Sequence, residues 1–310
     1  MMTDAVRIAI TGGTGFVGRH LAERLDPTET VIVSRRMGTQ IDDVDALTAA
    51  FDGCDAVAHF AGINREIGDQ TYERVHIRGT AAVIEAAKHA GVRKIVLLSF
   101  LRARPNCGSA YHESKWATEE MLRASGVDYT ILKAGMIYGR GDHLVDHLSH
   151  VVQTVPLFAS VGLREKPIRP IPVGELVDVA LAALGDRLSG QTVAVTGAEQ
   201  LMMSTAVRRV AEAVGRHVFV FPAPVWAHYL LGAATELTMT VPLVATAQVR
   251  MLSEGVSVAV QPASELPADL RPRLPFDREQ IRMALPSPGG FTWRDLRFAR
   301  RRRSSDAGDP

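Results

Sequence analysis

Tyr111 and Lys115 are four residues apart in the stretch GSAYHESKWATEE, residues 108–120. On an α-helix, side chains at this spacing lie on one face, about one turn apart. An ammonium group beside a phenol favours the phenolate, so Lys115 would lower the pKa of Tyr111 from about 10 towards working pH. Tyr111 could then exchange a proton with a substrate oxygen while a hydride moves at the adjacent carbon. The same spacing also occurs by chance on surface helices, so the pair needs a cofactor site beside it.

Ser99 is the third candidate for this chemistry. It ends the apolar run KIVLLS (94–99) and is the only serine at that end of the run, before the loop continues as FLRARPNC. A hydroxyl at the end of a central strand could hold the substrate oxygen. Tyr111, Lys115 and Ser99 are therefore the predicted catalytic residues.

Short apolar runs alternate with amphipathic segments through the first half of the chain. The predicted strands are VRIAI (6–10), TVIVS (30–34), AVAHFA (56–61), KIVLLS (94–99) and DYTILKA (128–134). Strands that are apolar throughout and separated by amphipathic helices indicate a parallel sheet covered on both faces. We therefore predict an α/β fold, a Rossmann-type doubly wound parallel sheet with a smaller, mostly helical C-terminal region.

The glycines of TGGTGFVG (11–18) follow the first predicted strand and open the first predicted helix. Gly12 permits a tight turn, Gly15 lets the backbone approach a pyrophosphate, and Gly18 allows close packing of helix on strand. Free N–H groups at the start of a helix favour phosphate. An ordinary glycine-rich turn is the alternative, but the position between strand and helix favours a dinucleotide site.

The end of the second predicted strand bears on which dinucleotide binds. A carboxylate there accepts a hydrogen bond from the ribose 2′-OH of NAD, whereas an arginine favours the 2′-phosphate of NADP. The strand ends in Ser34, Arg35 and Arg36, with no acidic residue. These residues favour NADP, with NAD less favoured. The alternative is that they are surface arginines of an ordinary loop.

Five motifs stand in a fixed order along about residues 5–140: TGGTGFVG, FDGCDAVAHFAG, VHIRGTAAVIEAAKHAGVRKIVLLS, YHESK and VDYTILKAGMIYG. Together they resemble the short-chain dehydrogenase/reductase superfamily, in its extended or atypical branch. The later run VTGAEQLMMSTAVRRVAEAVGRHVFVFPAPVW is similar to the NDUFA9-like subgroup, related to an accessory subunit of respiratory complex I.

The resemblance implies cofactor contacts at the matching positions. Lys115 would hydrogen-bond the ribose beside the nicotinamide. Gln40 stands where the family usually has an acidic residue near the adenine, and His76 where the long helix commonly carries an asparagine. The predicted cofactor-binding residues are Gly12, Thr14, Gly15, Phe16 and Val17 at the pyrophosphate, Ser34, Arg35, Arg36 and Gln40 at the adenosine, Ala61, Gly62 and Lys115 at the ribose, and Ala134, Gly135, Met136 and Ile137 near the nicotinamide.

The alternation of strands and helices loosens beyond residue 140. We predict an NAD(P)-binding Rossmann domain over 1–140 and a C-terminal substrate or cap region over 141–296, with a segment at about 168–200 returning to the sheet. Residues 297–310 read as a basic disordered tail. Its run from Arg300 through Arg301 and Arg302 to Arg303 could contact an anionic partner or a membrane surface, with a solvated tail as the alternative.

Histidines offer two further hypotheses. His143, His147 and His150 have the spacing of a metal-binding helix face, but no acidic or cysteine partner is indicated, so we favour a solvated helix and predict no metal. His76 could orient Lys115 through a water molecule, or it could pack within its helix.

The overall composition narrows the class of protein. A formal net charge of +1 over 310 residues provides no general attraction to nucleic acid. The two cysteines are too few for a disulfide framework, and no secretory signal or transmembrane segment is recognised, so we expect a cytoplasmic protein. We predict an NADP-dependent oxidoreductase or epimerase-like enzyme that acts on a small carbonyl or hydroxyl compound. The alternative is a non-catalytic NAD(P)H-binding protein with a structural or regulatory role, comparable to a complex I accessory subunit.

Overall fold

A computed structural model of the chain describes residues 6–142, 144–238 and 246–286. Its strands are β1 (Ile8–Thr11), β2 (Thr30–Val33), β3 (Ala56–His59), β4 (Lys94–Phe100), β5 (Asp128–Ala134), β6 (Ile137–Tyr138), β7 (Leu157–Val161), β8 (Pro167–Ile168), β9 (Ile171–Pro172), β10 (Gln191–Val195), β11 (Leu201–Met202) and β12 (Phe219–Ala223). Its α-helices are α1 (Phe16–Ala22), α2 (Val44–Phe51), α3 (Gly79–His89), α4 (Ala110–Arg123), α5 (Val145–Thr154), α6 (Val173–Leu184), α7 (Met203–Ala213), α8 (Val225–Thr238), α9 (Thr246–Glu254) and α10 (Arg278–Ala284).

Six of these strands form one sheet in the order β10-β5-β4-β3-β1-β2, and every neighbouring pair is parallel. The predicted α/β fold with a doubly wound parallel sheet is confirmed. The chain first runs outward from β1 to β2 and then continues on the other side of β1 with β3. The strand order therefore reverses between β1 and β3, and in open sheets of this kind ligands bind at the carboxyl ends of the strands on either side of such a reversal.

Helices bury the strands of this sheet. All four residues of β1 and of β3 are buried, and α2, α3 and α4 pack in series while α1 packs against α6. One hydrophobic cluster joins α2 to the strands, with Leu47, Phe51, Val57, Val83 and Ile95 at or below 1% exposure. Burying each such side chain stabilises the fold by about 1.5–3 kcal/mol. This packing holds the carboxyl ends of the strands in place.

The chain divides into two compact units. The first comprises the residues up to Gly135 together with Ile171–Thr196 and Val258–Arg273. It contains the whole six-stranded sheet, because β10 pairs in parallel with β5 from Gln191 opposite Thr130 to Val195 opposite Ala134.

The second unit comprises the described residues of Met136–Pro170 and Gly197–Ser257, and those from Leu274 to residue 286. Within it β12 pairs in parallel with β7, and β11 pairs antiparallel with β8. Arg209 donates two hydrogen bonds of 2.7 Å to the carboxylate of Glu199, which joins α7 to the loop before β11. Among the described helices of either unit, none is both long and apolar enough to cross a bilayer.

Candidate cofactor and catalytic site

The turn from β1 into α1 passes close to the turn after β3. Gly12 has φ +72°, and its N–H donates to the carbonyl oxygen of Val33 at 2.9 Å. A Cβ at Gly12 would lie 2.7 Å from the backbone nitrogen of Ala61, and a Cβ at Gly18 would lie 2.3 Å from the carbonyl oxygen of Gly12. Both positions therefore require glycine. Gly15 is exposed, and a Cβ there would meet only the carbonyl oxygen of Gly12, at 3.0 Å.

Three other residues predicted at the pyrophosphate lie in the same turn. Thr14 is partly exposed, and Phe16 begins α1 with its ring packed edge-on against His20, centroids 5.5 Å apart. Val17 is buried. Its side chain packs in the core, so only its backbone N–H could serve a phosphate.

The residues predicted at the adenosine follow β2. A 3₁₀ turn, Arg35–Met37, ends at Gly38 with φ +92°. The hydroxyl of Ser34 is buried and has no hydrogen-bond partner within the described part of the chain. Arg35 and Arg36 are exposed beside it, and Gln40 is exposed further along. The structure thus brings Ser34 and the two arginines together at the end of β2.

The predicted ribose residues Ala61 and Gly62 follow β3, and the next residue is tied to a distant helix. The N–H of Ile63 donates to Nε2 of His76 at 3.1 Å. His76 lies in a π-helical segment, Glu73–Arg78, that runs into α3; such segments are frequent at functional sites. Nδ1 of His76 lies 2.8 Å from the hydroxyl of Ser114. Both ring nitrogens of His76 therefore contact their partners directly.

Helix α4 carries Tyr111 and Lys115 one turn apart, as their spacing predicted. Ser109 is its N-cap residue, and its hydroxyl accepts from the N–H of His112 at 3.5 Å. Lys115 is buried, and its Nζ donates to the carbonyl oxygen of Leu98 on β4 at 2.6 Å. Tyr111 is partly buried among rings whose centroids lie 5.3–6.0 Å from its own: Phe100, Tyr72, His112 and His76.

Comparison with protein families identifies the first half of the chain. Residues 12–149 match the family described as NAD(P)H-binding. This region, slightly less than half of the chain, resembles NAD(P)H-binding domains. It contains both the glycine turn and the pair Tyr111 and Lys115.

Two relatives add to this comparison. A ceramide reductase of Caulobacter vibrioides is 35% identical over 163 residues, which are 46% of this chain and 50% of that protein. The mitochondrial NADH dehydrogenase (ubiquinone) 1 alpha subcomplex subunit 9 of Mus musculus is 23% identical over 254 residues, 74% of this chain and 67% of that protein. The chain thus spans half the length of the ceramide reductase that it matches.

A solved structure shows the same fold. UDP-glucose 4-epimerase of Thermus thermophilus, in complex with NAD, is 22% identical and superposes with a TM-score of 0.65. The match covers 90% of this chain and 97% of that one. The predicted resemblance to extended short-chain dehydrogenases/reductases, with an NDUFA9-like relationship, is confirmed.

The residues of the NAD(P)H-binding domain fit a nicotinamide dinucleotide. The turn at Gly15 leaves its backbone open to a pyrophosphate, with no side chain in the way. The buried hydroxyl of Ser34 lacks a partner within the described residues, and a ligand oxygen at the end of β2 would supply one. Gly15 follows β1 and Ser34 follows the neighbouring strand β2, so both lie at the carboxyl ends of strands on one side of the reversal. The preference for NADP over NAD stays a prediction.

The ionisation of Tyr111 and Lys115 differs from the expectation. Burial raises the pKa of Tyr111, and the phenol of Tyr72 adds to the rise. Burial also lowers the pKa of Lys115 to about 8, against a smaller upward effect of Glu119. The expected lowering of the Tyr111 pKa is not met in the protein alone, because burial disfavours the charged phenolate. At neutral pH Tyr111 is therefore a neutral phenol that can donate a proton.

Ser99 is engaged with a buried ion pair. Its hydroxyl donates to Oε1 of Glu119 at 2.5 Å. The carboxylate of Glu119 also accepts from Nζ of Lys133 at 2.9 and 3.0 Å, and both of these side chains are fully buried. With its hydrogen given to Glu119, Ser99 can accept a hydrogen bond from a substrate hydroxyl but cannot donate one to a carbonyl. The catalytic role of Ser99 stays a prediction. It is limited to accepting a hydrogen bond from a substrate hydroxyl.

Sequence reasoning missed the partners Glu119 and Lys133. Two signals were present: Glu119 follows Lys115 by one helical turn, and Lys133 interrupts the apolar run DYTILKA (128–134). A lysine inside a buried strand needs an anionic partner, because an unpaired buried charge is too costly.

The remaining predicted positions are distributed as follows. Ala134 ends β5 and Gly135 ends the first stretch of the first unit, whereas Met136 and Ile137 belong to the second unit. Their role at the nicotinamide stays a prediction. His143 and the four consecutive arginines of the tail, at 300–303, lie outside the described residues. Within the described part, no group of three or more histidine, cysteine or acidic side chains could hold a metal ion.

Proposed function

We propose that this chain is an NADP-dependent oxidoreductase of the short-chain dehydrogenase/reductase type, working as a carbonyl reductase. The observation that carries the proposal is the placement of Tyr111 on the same face of α4 as the buried Lys115, within the region that matches the NAD(P)H-binding family. A neutral phenol suits reduction, since that direction needs a proton donor at the substrate oxygen.

Each group in the site has its own role in the proposed reduction. When bound, NADPH supplies the hydride that adds to the carbonyl carbon of the substrate. Tyr111 donates its phenolic proton to the carbonyl oxygen, so that C=O becomes CH–OH. The phenolate left on Tyr111 is stabilised by the positive charge of Lys115 and regains its proton from solvent. A proton and a hydride are thus both accounted for.

Residues at both ends of the proposed cofactor site support this assignment. Ser34, Arg35 and Arg36 at the end of β2 would hold the 2′-phosphate of NADP, because guanidinium groups bind phosphate oxygens with charge-assisted hydrogen bonds. Gly15 would face the pyrophosphate, and Lys115 would reach the ribose beside the nicotinamide.

The relatives support a choice of substrates to test. One relative is named a ceramide reductase, and a structural neighbour is a sugar-nucleotide epimerase. Reduction is common to the first name and to the proton donor that we propose at Tyr111. Long-chain ketones and aldehydes are therefore the first substrates to test, with small hydroxy and keto sugars as the second set.

The test uses the purified full chain with NADPH or NADH and a panel of short- and long-chain ketones and aldehydes. We expect substrate-dependent oxidation of NADPH, and transfer of deuterium from labelled NADPH to the substrate carbon. Oxidation of NADPH without label transfer, or oxidation of NADH alone, would contradict the proposal.

A second candidate function is a non-catalytic NAD(P)H-binding protein. The contact between Ser99 and Glu119 favours it, because the hydroxyl is not available to hold a substrate carbonyl. The relative named as a subunit of NADH dehydrogenase (ubiquinone) is consistent with such a role. This candidate predicts tight dinucleotide binding, no turnover across the whole panel, and a gain in thermal stability on binding.

A further inference from the structure

His76 connects two segments that the cofactor site requires. Nε2 accepts from the N–H of Ile63, directly after the predicted ribose residues Ala61 and Gly62. Nδ1 contacts the hydroxyl of Ser114, which lies on α4 between Tyr111 and Lys115. The imidazole is only 2% exposed, so both contacts are shielded from water.

The protons of this network can be assigned without ambiguity. Because Ile63 donates to Nε2, that nitrogen carries no hydrogen, and a neutral ring must then be protonated at Nδ1. Nδ1–H donates to the oxygen of Ser114. The hydroxyl hydrogen of Ser114 goes to the carbonyl oxygen of Tyr111 at 2.9 Å. Every donor has one acceptor, and the series of bonds ends on the backbone of α4.

The surroundings keep the imidazole neutral. Burial lowers the pKa of His76 to about 2, and the charge of Lys115 and the ring of His59 act in the same direction. The phenol rings of Tyr72 and Tyr111 pack against it with centroids 5.3 and 6.0 Å away. A proton on Nε2 would also remove the acceptor of the Ile63 N–H. His76 is therefore unsuited to act as an acid or base and well suited to hold its neighbours.

We propose that His76 is a positioning residue of the cofactor site, whose imidazole, protonated at Nδ1, holds the loop after β3 at Ile63 and helix α4 at Ser114 in one fixed arrangement. The inference rests on the proposed function and deepens it. The loop would present the backbone of Ala61 and Gly62 to the ribose while α4 presents Lys115 to the same sugar. The two nitrogens of the imidazole lie on different edges of the ring, so His76 can hydrogen-bond Ile63 and Ser114 at the same time.

The test compares two variants of His76 with one control. His76→Phe keeps a ring but removes both nitrogens, which leaves the N–H of Ile63 without an acceptor. His76→Gln retains an amide oxygen for Ile63 and an amide N–H for Ser114. The control is His228→Phe, because His228 is a buried histidine of the second unit whose ring nitrogens lie 3.1 and 3.2 Å from the carbonyl oxygens of Ala159 and Pro224.

We expect His76→Phe to bind NADPH about tenfold more weakly, since ordering the loop after β3 against α4 then becomes a cost of binding. The amide of Ile63 should exchange with solvent faster in the same variant. His76→Gln should restore part of both losses, and His228→Phe should change neither. Unchanged NADPH affinity in a folded His76→Phe protein would overturn the proposal, as would equal losses in His76→Phe and His228→Phe.

A measurement on the unaltered protein covers the case in which His76→Phe fails to fold. Nitrogen NMR of labelled histidine should show His76 protonated at Nδ1 alone, and unchanged from about pH 5 to about pH 9. Protonation at Nε2, or titration within that range, would overturn the proposal. If the unaltered protein binds no dinucleotide, the proposed function fails, while the tautomer and the exchange at Ile63 still decide the role of His76.

Discussion

Nζ of Lys115 donates a hydrogen bond to the carbonyl oxygen of Leu98 at 2.6 Å, so the ammonium group is held against β4 in the interior of the sheet. The side chain is 7% exposed, and burial lowers its pKa from 10.5 to about 8. Folding therefore places a charge where water cannot solvate it. This cost is present only while Lys115 is protonated, which makes it measurable through pH.

We expect the free energy of unfolding to gain about 2 kcal/mol from Lys115 between pH 8 and 10. In this window the unfolded chain still holds the proton that the folded chain has released, and stability rises wherever the unfolded state binds more protons. The measurement is urea unfolding of the unaltered protein and of Lys115→Met at several pH values. The difference between the two proteins should change with pH; a constant difference would show that Lys115 keeps an ordinary pKa.

Tyr111→Phe should abolish hydride transfer while leaving NADPH affinity almost unchanged. The substitution removes the proton donor and retains the ring that packs against Phe100. General acid catalysis contributes about 10²–10⁴-fold, so turnover should fall by at least that lower factor. Turnover and calorimetric affinity are to be compared with Tyr129→Phe, on β5. Wild-type turnover in Tyr111→Phe would remove the tyrosine from the mechanism.

Arg35→Ala should weaken NADP binding roughly tenfold to a hundredfold and NAD binding much less. A hydrogen bond to a charged group is worth about 1.5–3 kcal/mol, and only NADP has a 2′-phosphate to lose it. Titration calorimetry with both dinucleotides measures the difference. Arg93→Ala is the control, because Arg93 pairs with Asp55 at 3.1 Å on the surface. Equal losses for NAD and NADP would contradict the 2′-phosphate assignment.

Gly15→Ala should leave the domain folded and weaken dinucleotide binding, whereas Gly12→Ala should destabilise the fold itself. A Cβ at Gly15 meets only the carbonyl oxygen of Gly12, but a Cβ at Gly12 meets the backbone of Ala61 at 2.7 Å, in a conformation of positive φ. Thermal unfolding and dinucleotide titration separate the two effects. Gly174→Ala serves as control, because nothing lies within 4 Å of its added Cβ. Normal dinucleotide affinity in Gly15→Ala would mean that the cofactor does not pass this turn.

Glu119→Gln should cost about 3 kcal/mol of stability, because it leaves the charge of Lys133 buried without its counterion. The double variant Glu119→Gln with Lys133→Met removes that charge and should recover part of the loss. Trp116 reports the change by fluorescence, since Lys133 and Arg123 both lie over its ring. A double variant less stable than Glu119→Gln alone would contradict this account of the pair.

Much of the fold was predictable because it depends on neighbours in sequence. The strands from β1 to β5 were recognisable as apolar runs, and the turn TGGTGFVG (11–18) from the spacing of its glycines. Helix α4 begins at a serine cap and places Tyr111 and Lys115 on one face through helical geometry alone. Each of these features is set within a few residues, where backbone preferences and periodicity dominate.

Other features depended on contacts between distant segments. Ser99 hydrogen-bonds Glu119, twenty positions away on α4. Glu119 in turn forms an ion pair with Lys133 on β5. The contacts of His76 to Ile63 and Ser114 join residues 13 and 38 positions apart. Neither set of contacts can be predicted from sequence periodicity. Each depends on how the strands and helices align once the sheet has formed.

The sequence was sufficient to establish the order of elements, the glycine turn and the pairing of a tyrosine with a lysine on one helix. Only the tertiary structure decided how those side chains ionise. Spacing suggested a lowered pKa for Tyr111, but the surrounding rings, brought in from Tyr72 and Phe100, remove the water that would stabilise its charge. Desolvation depends on everything packed around a group, so it arises only when the chain has folded.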